Sequence, residues 1–164
     1  RLRDDLSCYY AACHASELIY NLTAEEDPTP ELFDELLGLL RRLEEGVEPA
    51  IALYTFEAHL LVLTGFMPEV SRCVACGKQN KARRVAFGPR QGGVVCADCA
   101  PGETDLVAGV ATGALDLLGR LARRELTRVE RITMSPRVAK QMRTFLNEYE
   151  THILGRPLQT VRHL

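Results

Sequence analysis

The segment FEAHLLVLTGFMPEVSRCVACG, residues 56–77, joins a leucine-rich helical pattern to a pair of closely spaced cysteines. Apolar residues recur at helical spacing up to Gly65, which ends the pattern. Pro68 follows, and then Cys73 and Cys76 in the arrangement C-x2-C. The segment therefore marks a change from packed helix to a cysteine-bearing module.

A second cysteine pair completes this module. Cys96 and Cys99 repeat the C-x2-C spacing, and 19 residues separate them from the first pair, Cys73 and Cys76. Pairs at this separation are typical of four-cysteine zinc sites, in which each tight turn presents two thiolates to one ion. Gly77 gives the first turn backbone freedom. Four thiolates complete the tetrahedral coordination of Zn²⁺ and leave no open position, so the predicted zinc is structural.

Three other roles for the cysteines are less favoured. Disulfides are rare in the reducing cytoplasm, and a redox C-x-x-C motif is expected once, beside a βαβ pattern. An iron–sulfur cluster also uses four cysteines, but the hairpin-like filling favours zinc. That filling, ARRVAFG and GGVVC, predicts two strands joined by the turn GPRQGG. Residues 72–101 contain few apolar side chains, so metal binding, worth on the order of 10 kcal/mol, is expected to stabilise a ribbon held out from the helices.

Helical patterns fill the remainder of the chain. Pro30, Pro49 and Pro136 each stand where a first helical residue is expected. The patterns predict five helices, at about 2–22, 30–46, 49–65, 112–126 and 136–154. The sequence thus predicts a mainly α fold, in which residues 1–164 form one helical-bundle domain with an inserted four-cysteine zinc ribbon, or zinc finger, at 72–101.

Three groups of side chains have helical spacing within these patterns. In the first helix the recurring residues are Leu6, Tyr9, Tyr10, Cys13 and Leu18. The last helix is predicted to bury an apolar side and to expose a basic side, formed by Arg137, Lys140 and Arg143. Four further arginines share one stripe only if the fourth helix extends far enough, and a solvated face or contacts with the acidic first half of the chain are the simpler interpretation: Arg120, Arg124, Arg128 and Arg131.

The net charge of −2 is unevenly distributed. Residues 1–71 carry 4 basic and 14 acidic side chains, residues 72–101 carry 6 and 1, and residues 102–164 carry 10 and 7. A basic module can attract a polyanion, although a well-solvated surface is the simpler alternative. Phosphate contact is favoured over base reading, because no aromatic stacking array accompanies the charges. The predicted nucleic-acid-binding residues are Arg72, Lys78, Lys81, Arg83, Arg84 and Arg90, with Arg137, Lys140 and Arg143 as a second basic face.

The sequence contains no P-loop, dinucleotide fingerprint or G-x-S-x-G elbow, and His59 lacks the HExxH arrangement of zinc proteases. Cys8, Cys13 and His14 do not form a full ligand set and are predicted to be packing residues. No apolar run reaches the length of a membrane span, and the N-terminus lacks a signal-peptide pattern. We therefore expect a cytoplasmic protein that is not an enzyme and has neither a small-molecule substrate nor a membrane partner.

The order of these features resembles the C-terminal helical domain of the bacterial RecO family. Four segments carry the resemblance: ELIYNLTAEEDPTPELFDELLGLLRRLEEG, FEAHLLVLTGFMPEVSRCVACG, GGVVCADC and GRPLQTVRHL. The second is the most specific, because helix, Gly65, Pro68 and the first cysteine pair are in register. The resemblance covers essentially all 164 residues.

This resemblance implies a recombination mediator in DNA repair. RecO proteins anneal complementary strands, bind the tail of the single-stranded-DNA-binding protein, and with RecR help to load RecA. The family's zinc-bearing members and the four cysteines here imply structural Zn²⁺. The resemblance also implies an N-terminal OB-fold, which is expected to precede Arg1, and a place at the bacterial nucleoid. The alternative is a zinc-ribbon adaptor that binds acidic protein tails and not nucleic acid.

Overall fold

The computed structural model describes residues 1–23, 29–103, 105–126 and 128–164. These residues form five α-helices: α1 (Leu6–Leu22), α2 (Pro30–Glu44), α3 (Pro49–Leu63), α4 (Thr112–Ala122) and α5 (Pro136–Leu154). They also form three short strands: β1 (Arg84–Gly88), β2 (Gly93–Val95) and β3 (Val107–Ala111). Single 3₁₀ turns occupy Ala100–Gly102, Val129–Arg131 and Thr160–His163. The mainly helical character expected from the sequence is confirmed, with a small sheet in addition.

The helix ends follow local signals in the sequence. Pro30, Pro49 and Pro136 are each the first helical residue, as predicted, because proline lacks the N–H that has no partner there. The first helix begins at Leu6 and not at residue 2. Asp5 caps it, since its Oδ1 accepts a hydrogen bond from the backbone N–H of Ser7 at 2.9 Å.

The fourth helix ends at Ala122 and not at residue 126. The N–H of Glu125 donates to the carbonyl of Arg120 at 3.0 Å, and that of Arg124 donates to Leu121 at 2.9 Å. This pair of bonds terminates the helix with Arg124 in the left-handed region, at φ 56°. The arginines at 120, 124, 128 and 131 therefore do not share one helical stripe.

Helix α3 lies at the centre of the molecule. It is buried from Ile51 to Leu61, because its sequence is apolar on nearly every side. One side packs with α1 and α2 in a cluster that includes Phe56, and the other packs with the sheet, α4 and α5 in a cluster that includes Leu61. The central helix thus joins two apolar clusters.

Helix α1 presents a different side to the core from the one its large residues suggest. Leu6 and Tyr9 are 70% and 53% exposed. The buried residues are small or polar, apart from one leucine: Cys8, Ala11, His14, Ala15 and Leu18. Small side chains let α1 approach α3 closely, which leaves the bulky residues outside.

The strands form one antiparallel sheet in the order β2-β1-β3. The two strands predicted between the cysteine pairs are present as β1 and β2, whereas β3 lacked a sequence signal. Phe87 of β1 is fully buried, and its ring meets those of Phe145 and Tyr149 edge-on at 4.7 and 5.2 Å. The ribbon is therefore not held out from the helices, because its apolar side forms part of the core.

Candidate metal centre and basic surface

The four cysteines of the module converge on one point. The Sγ atoms of Cys73, Cys76, Cys96 and Cys99 all lie within 4.8 Å of one another, and those of Cys76 and Cys96 are 3.8 Å apart. In a tetrahedral Zn²⁺ site with bonds of about 2.3 Å, sulfurs are separated by about 3.8 Å. The donor set and its spacing therefore fit a four-thiolate zinc site. Within the described ranges, no other cysteine belongs to this cluster.

Local hydrogen bonds shape both cysteine turns. Gly77, at φ 73°, donates its N–H to the carbonyl of Cys73 at 2.8 Å, and only glycine adopts this backbone readily. In the second turn the N–H of Cys99 donates to the carbonyl of Cys96 at 3.1 Å. Each two-residue spacing thus becomes a tight turn with both sulfurs on one side.

The two turns also set the ionisation of the sulfurs. Burial raises the pKa of Cys73, but backbone N–H donors, led by that of Cys96 at 3.3 Å from its Sγ, outweigh burial and lower the pKa to about 6. The neighbouring sulfurs of Cys96 and Cys76, together with burial, raise the pKa of Cys99 to about 12. A bound cation favours ionisation of all four sulfurs, because it stabilises the four thiolates together.

Three of the six predicted basic contacts in the module already have partners. Lys78 pairs with Asp98 at 3.3 Å and Arg90 with Asp105 at 3.5 Å, in both cases at the surface. Arg84 donates to the carbonyl of Gly109 at 2.8 Å.

The other three are Arg72, Lys81 and Arg83. They are exposed, and their side chains form no hydrogen bond or ion pair with any part of the chain that the structure describes. They are thus the residues of the module that are free to contact an anion.

The basic face predicted on α5 is only partly present. Arg137 and Lys140 are exposed, but Arg143 is not, since its side chain is 13% accessible. Its Nη1 donates to Glu57 at 2.6 Å, and its guanidinium lies over the ring of Tyr54 at 5.6 Å. The prediction that Arg143 belongs to the exposed basic face is wrong, because two buried carboxylates draw it into the core.

Those carboxylates belong to a buried cluster that sequence reasoning missed. His14, Glu57 and Glu150 are at most 2% exposed, and Nε2 of His14 lies 3.3 Å from Glu57 and 3.5 Å from Glu150. Arg143 contacts both glutamates. A protonated His14 gives two negative and two positive charges, so we call these four residues the buried charge quartet. The sequence signal that could have revealed this cluster was the presence of three ionisable residues at helical positions that face the core.

A second buried histidine joins α2, α3 and the end of α4. His59 Nδ1 lies 2.7 Å from Glu35, and its Nε2 lies 3.1 Å from the carbonyl of Leu121. Arg124 forms an ion pair with the same glutamate. Burial raises the pKa of Glu35, but His59 and Arg124 outweigh burial and lower it to about 2. The left-handed Arg124 thus fixes the end of α4 against α2.

Comparison with known proteins identifies the family of the chain. The family model described as "Recombination protein O C terminal" matches residues 3–162. The chain belongs to the RecO family. It is 31% identical over 99% of its length to the DNA repair protein RecO of Desulforamulus reducens, of which the match covers 63%. It is 34% identical over 100% of its length to that of Roseiflexus sp. strain RS-1, covering 58% of that protein. It is 34% identical over 99% of its length to the DNA repair protein RecO of Anaeromyxobacter sp. strain K, of which the match covers 64%.

The RecO relatives are longer than this chain, which spans about three fifths of their length. Within the ranges given above, every helix is too short or too polar to span a bilayer. The resemblance inferred from the four sequence segments is confirmed, because the family match and these relatives cover nearly the whole chain.

Proposed function

We propose that this RecO-family chain contributes a zinc-stabilised basic surface to a recombination mediator in DNA repair, and that this surface contacts single-stranded DNA. One observation carries the proposal: Arg72, Lys81 and Arg83 project from the cysteine module without partners among the described residues. Since cations on a rigid support neutralise successive phosphates without first breaking an ion pair, they are suited to a flexible single strand. Catalysis is not part of this proposal.

The partners we propose are RecR, the acidic tail of the single-stranded-DNA-binding protein, and single-stranded DNA, in the bacterial cytoplasm at the nucleoid. With them the full protein anneals strands and helps to load RecA. An acidic tail and a phosphate chain have the same sign of charge, so both are attracted to this basic surface.

A protein-interaction adaptor is the second candidate function. Four apolar side chains are exposed where α3 leads into the first cysteine turn: Val62, Leu63, Phe66 and Val74 are 47%, 37%, 41% and 37% accessible. Exposed apolar side chains favour contact with another protein over contact with phosphates. The two functions differ in their dependence on Lys81 and Arg83.

Replacing Lys81 and Arg83 with alanine is expected to weaken binding of a single strand and to lower its salt dependence. Each lost phosphate contact reduces the slope of log K against log salt by about 0.7, so the double variant should lose about 1.4. Fluorescence anisotropy with a labelled oligothymidine at several salt concentrations measures both quantities.

The matched control removes two exposed arginines elsewhere, at Arg41 and Arg128, with the same change in net charge. The control should keep most of the slope. An unchanged slope in the Lys81 and Arg83 variant would contradict the DNA role and favour the adaptor.

A further inference from the structure

The four converging cysteines differ in their access to solvent. Cys73 is 1% exposed, and its Sγ accepts a hydrogen bond from the backbone N–H of Cys96 at 3.3 Å. Cys96 and Cys99 are half-buried, whereas Cys76 is exposed. All four sulfurs are thiolates in a zinc-bound module, so exposure decides which of them an oxidant reaches first. That cysteine is Cys76.

A partner for an oxidised Cys76 lies across the site. The Sγ of Cys96, from the second turn, is 3.8 Å from that of Cys76. A disulfide bond is about 2.05 Å long, so the two sulfurs need to approach each other by about 1.8 Å. Residues 74–79 around Cys76 are all exposed, and no buried side chain of this stretch opposes the movement. An accessible thiolate beside a second thiolate is the arrangement that redox-sensing cysteines require.

The first cysteine turn depends on the metal more than the rest of the module does. Within residues 71–84, all of which the structure describes, Cys73 is the one buried residue. Phe87 of β1, by contrast, belongs to the core that the module shares with α4 and α5. A segment with so little apolar burial opens locally at a small cost in free energy once its anchoring bonds are lost. The three free cations of the module lie in this segment.

We propose that Cys76 and Cys96 make the metal site a redox switch, in which a peroxide joins them in a disulfide and the module gives up its zinc. The thiolate of Cys76 attacks one peroxide oxygen, so the O–O bond breaks, a sulfenic acid forms and a hydroxide leaves. The thiolate of Cys96 then attacks that sulfur, the S–S bond forms, and the S–O bond breaks to release a second hydroxide. The two sulfurs supply the two electrons that reduce the peroxide, and two protons from solvent convert both hydroxides to water.

The oxidised module keeps two of its four thiolates, those of Cys73 and Cys99, and two ligands do not complete tetrahedral coordination. The module therefore releases the ion, and its first turn loses its anchor. The new bond still ties the two turns together, so β1 is expected to keep its contact with α5. The loss of the basic surface as a DNA contact rests on the proposed function, whereas the disulfide and the loss of zinc do not.

Hydrogen peroxide tests the switch on the zinc-loaded chain of residues 1–164. The treated chain should lose about one zinc, measured with a chromogenic chelator, together with about two thiols. Dithiothreitol with added zinc should restore both. Trypsin separates the cysteine pairs into the peptides 73–78 and 91–120, because lysines and arginines lie between them. The expected disulfide joins these two peptides, and mass spectrometry without reduction should assign it to Cys76 and Cys96.

Cys76→His removes the exposed thiolate and keeps a metal ligand. Histidine is a common fourth ligand beside three cysteines, so this variant should bind zinc and release it several-fold more slowly under peroxide. Cys13→Ser is the matched control, because it removes a half-buried thiol on α1 and should leave both zinc release and the cross-link unchanged. The disulfide map of the unaltered chain decides the same question if Cys76→His does not take up zinc.

The outcomes separate the switch from the proposed function. Zinc that stays bound under peroxide, or a disulfide that forms within one turn, overturns the switch. Zinc release with the expected cross-link supports it, and a fall in the salt slope of single-strand binding then supports the DNA contact as well. If the slope ignores both peroxide and the loss of Lys81 and Arg83, the proposed function fails and the switch stands. A slope that depends on Lys81 and Arg83 but not on peroxide overturns the predicted loss of the basic surface.

Discussion

Replacing Cys73 and Cys96 with serine is expected to abolish metal binding and to unfold the cysteine module. The two residues come from different turns, so each turn loses one thiolate and serine oxygen is a poor substitute. Zinc binding in small modules is worth on the order of 10 kcal/mol, more than the burial of the few apolar residues of the module supplies. Metal analysis of the purified chain should show close to one zinc, and the variant close to none.

The effect should spread beyond the module. Phe87 packs against Phe145 and Tyr149 of α5, so unfolding β1 exposes part of the core that α3, α4 and α5 share. Loss of a core aromatic residue costs about 3–5 kcal/mol, and the thermal midpoint should fall by roughly 6–20 °C for a chain of this size. Thermal denaturation followed by circular dichroism, with and without a chelator, measures this coupling.

Cys13→Ser is the matched control, because it makes the same chemical change on α1, away from the four converging sulfurs. It should retain zinc and most of the stability. Full zinc content and an unchanged midpoint in the Cys73 and Cys96 variant would show that the metal site is assigned to the wrong residues.

The sequence predicts those parts of the structure that depend on local signals. Pro30, Pro49 and Pro136 place three helix starts within the chain, since proline at the first helical position acts through its own ring and its missing N–H. The two C-x2-C pairs predict the convergence of the sulfurs in the same way, because a tight turn needs only its own few residues.

Features set by packing between distant segments were not predicted. The core-facing side of α1 follows from its fit against α3, where small side chains allow a closer approach than Leu6 or Tyr9 would. Strand β3 depends on pairing with β1, from which residues 89–106 separate it along the chain. Arg143 has the helical position of a solvated residue, and its burial follows from the approach of Glu57 from α3, which with Glu150 pairs its guanidinium in the core.

The second prediction with a large effect concerns the buried charge quartet of His14, Glu57, Arg143 and Glu150. Arg143→Met keeps most of the volume of the side chain but leaves two buried carboxylates against one histidine. Breaking a buried ion pair by removing one partner costs about 3–5 kcal/mol, because the remaining charge is desolvated without compensation. Urea denaturation should show a loss of this size. Arg137→Met, on the exposed side of the same helix, should change stability by less than about 0.5 kcal/mol.

A double variant distinguishes charge balance from packing. Adding Glu150→Gln to Arg143→Met restores one negative and one positive charge, Glu57 and His14, so the double variant should be more stable than Arg143→Met alone. If the two substitutions instead destabilise the chain additively, the quartet acts through shape and not through charge.

The quartet also predicts how stability depends on pH. The hydroxyl of Thr160 donates to Glu17 and therefore accepts from Nδ1–H of His14 at 2.6 Å, which leaves Nε2 to carry the second proton toward Glu150 and Glu57. Burial lowers the pKa of His14, but the two carboxylates outweigh burial and raise it from 6.5 to about 9.

A group whose pKa is raised on folding stabilises the folded state fully below its unfolded pKa and loses that contribution as the pH rises through the folded value. For His14 the window runs from pH 6.5 to about 9, and the shift corresponds to about 3 kcal/mol. Urea unfolding of the zinc-bound chain between pH 6 and pH 10 should show this decline. His14→Gln keeps a hydrogen-bond donor and does not titrate. Subtracting its stability–pH profile from that of the unaltered chain therefore removes the contribution that cysteines and tyrosines make to the pH dependence. Parallel profiles for the two proteins would mean that His14 is neutral in the folded chain, and that Arg143 alone compensates Glu57 and Glu150.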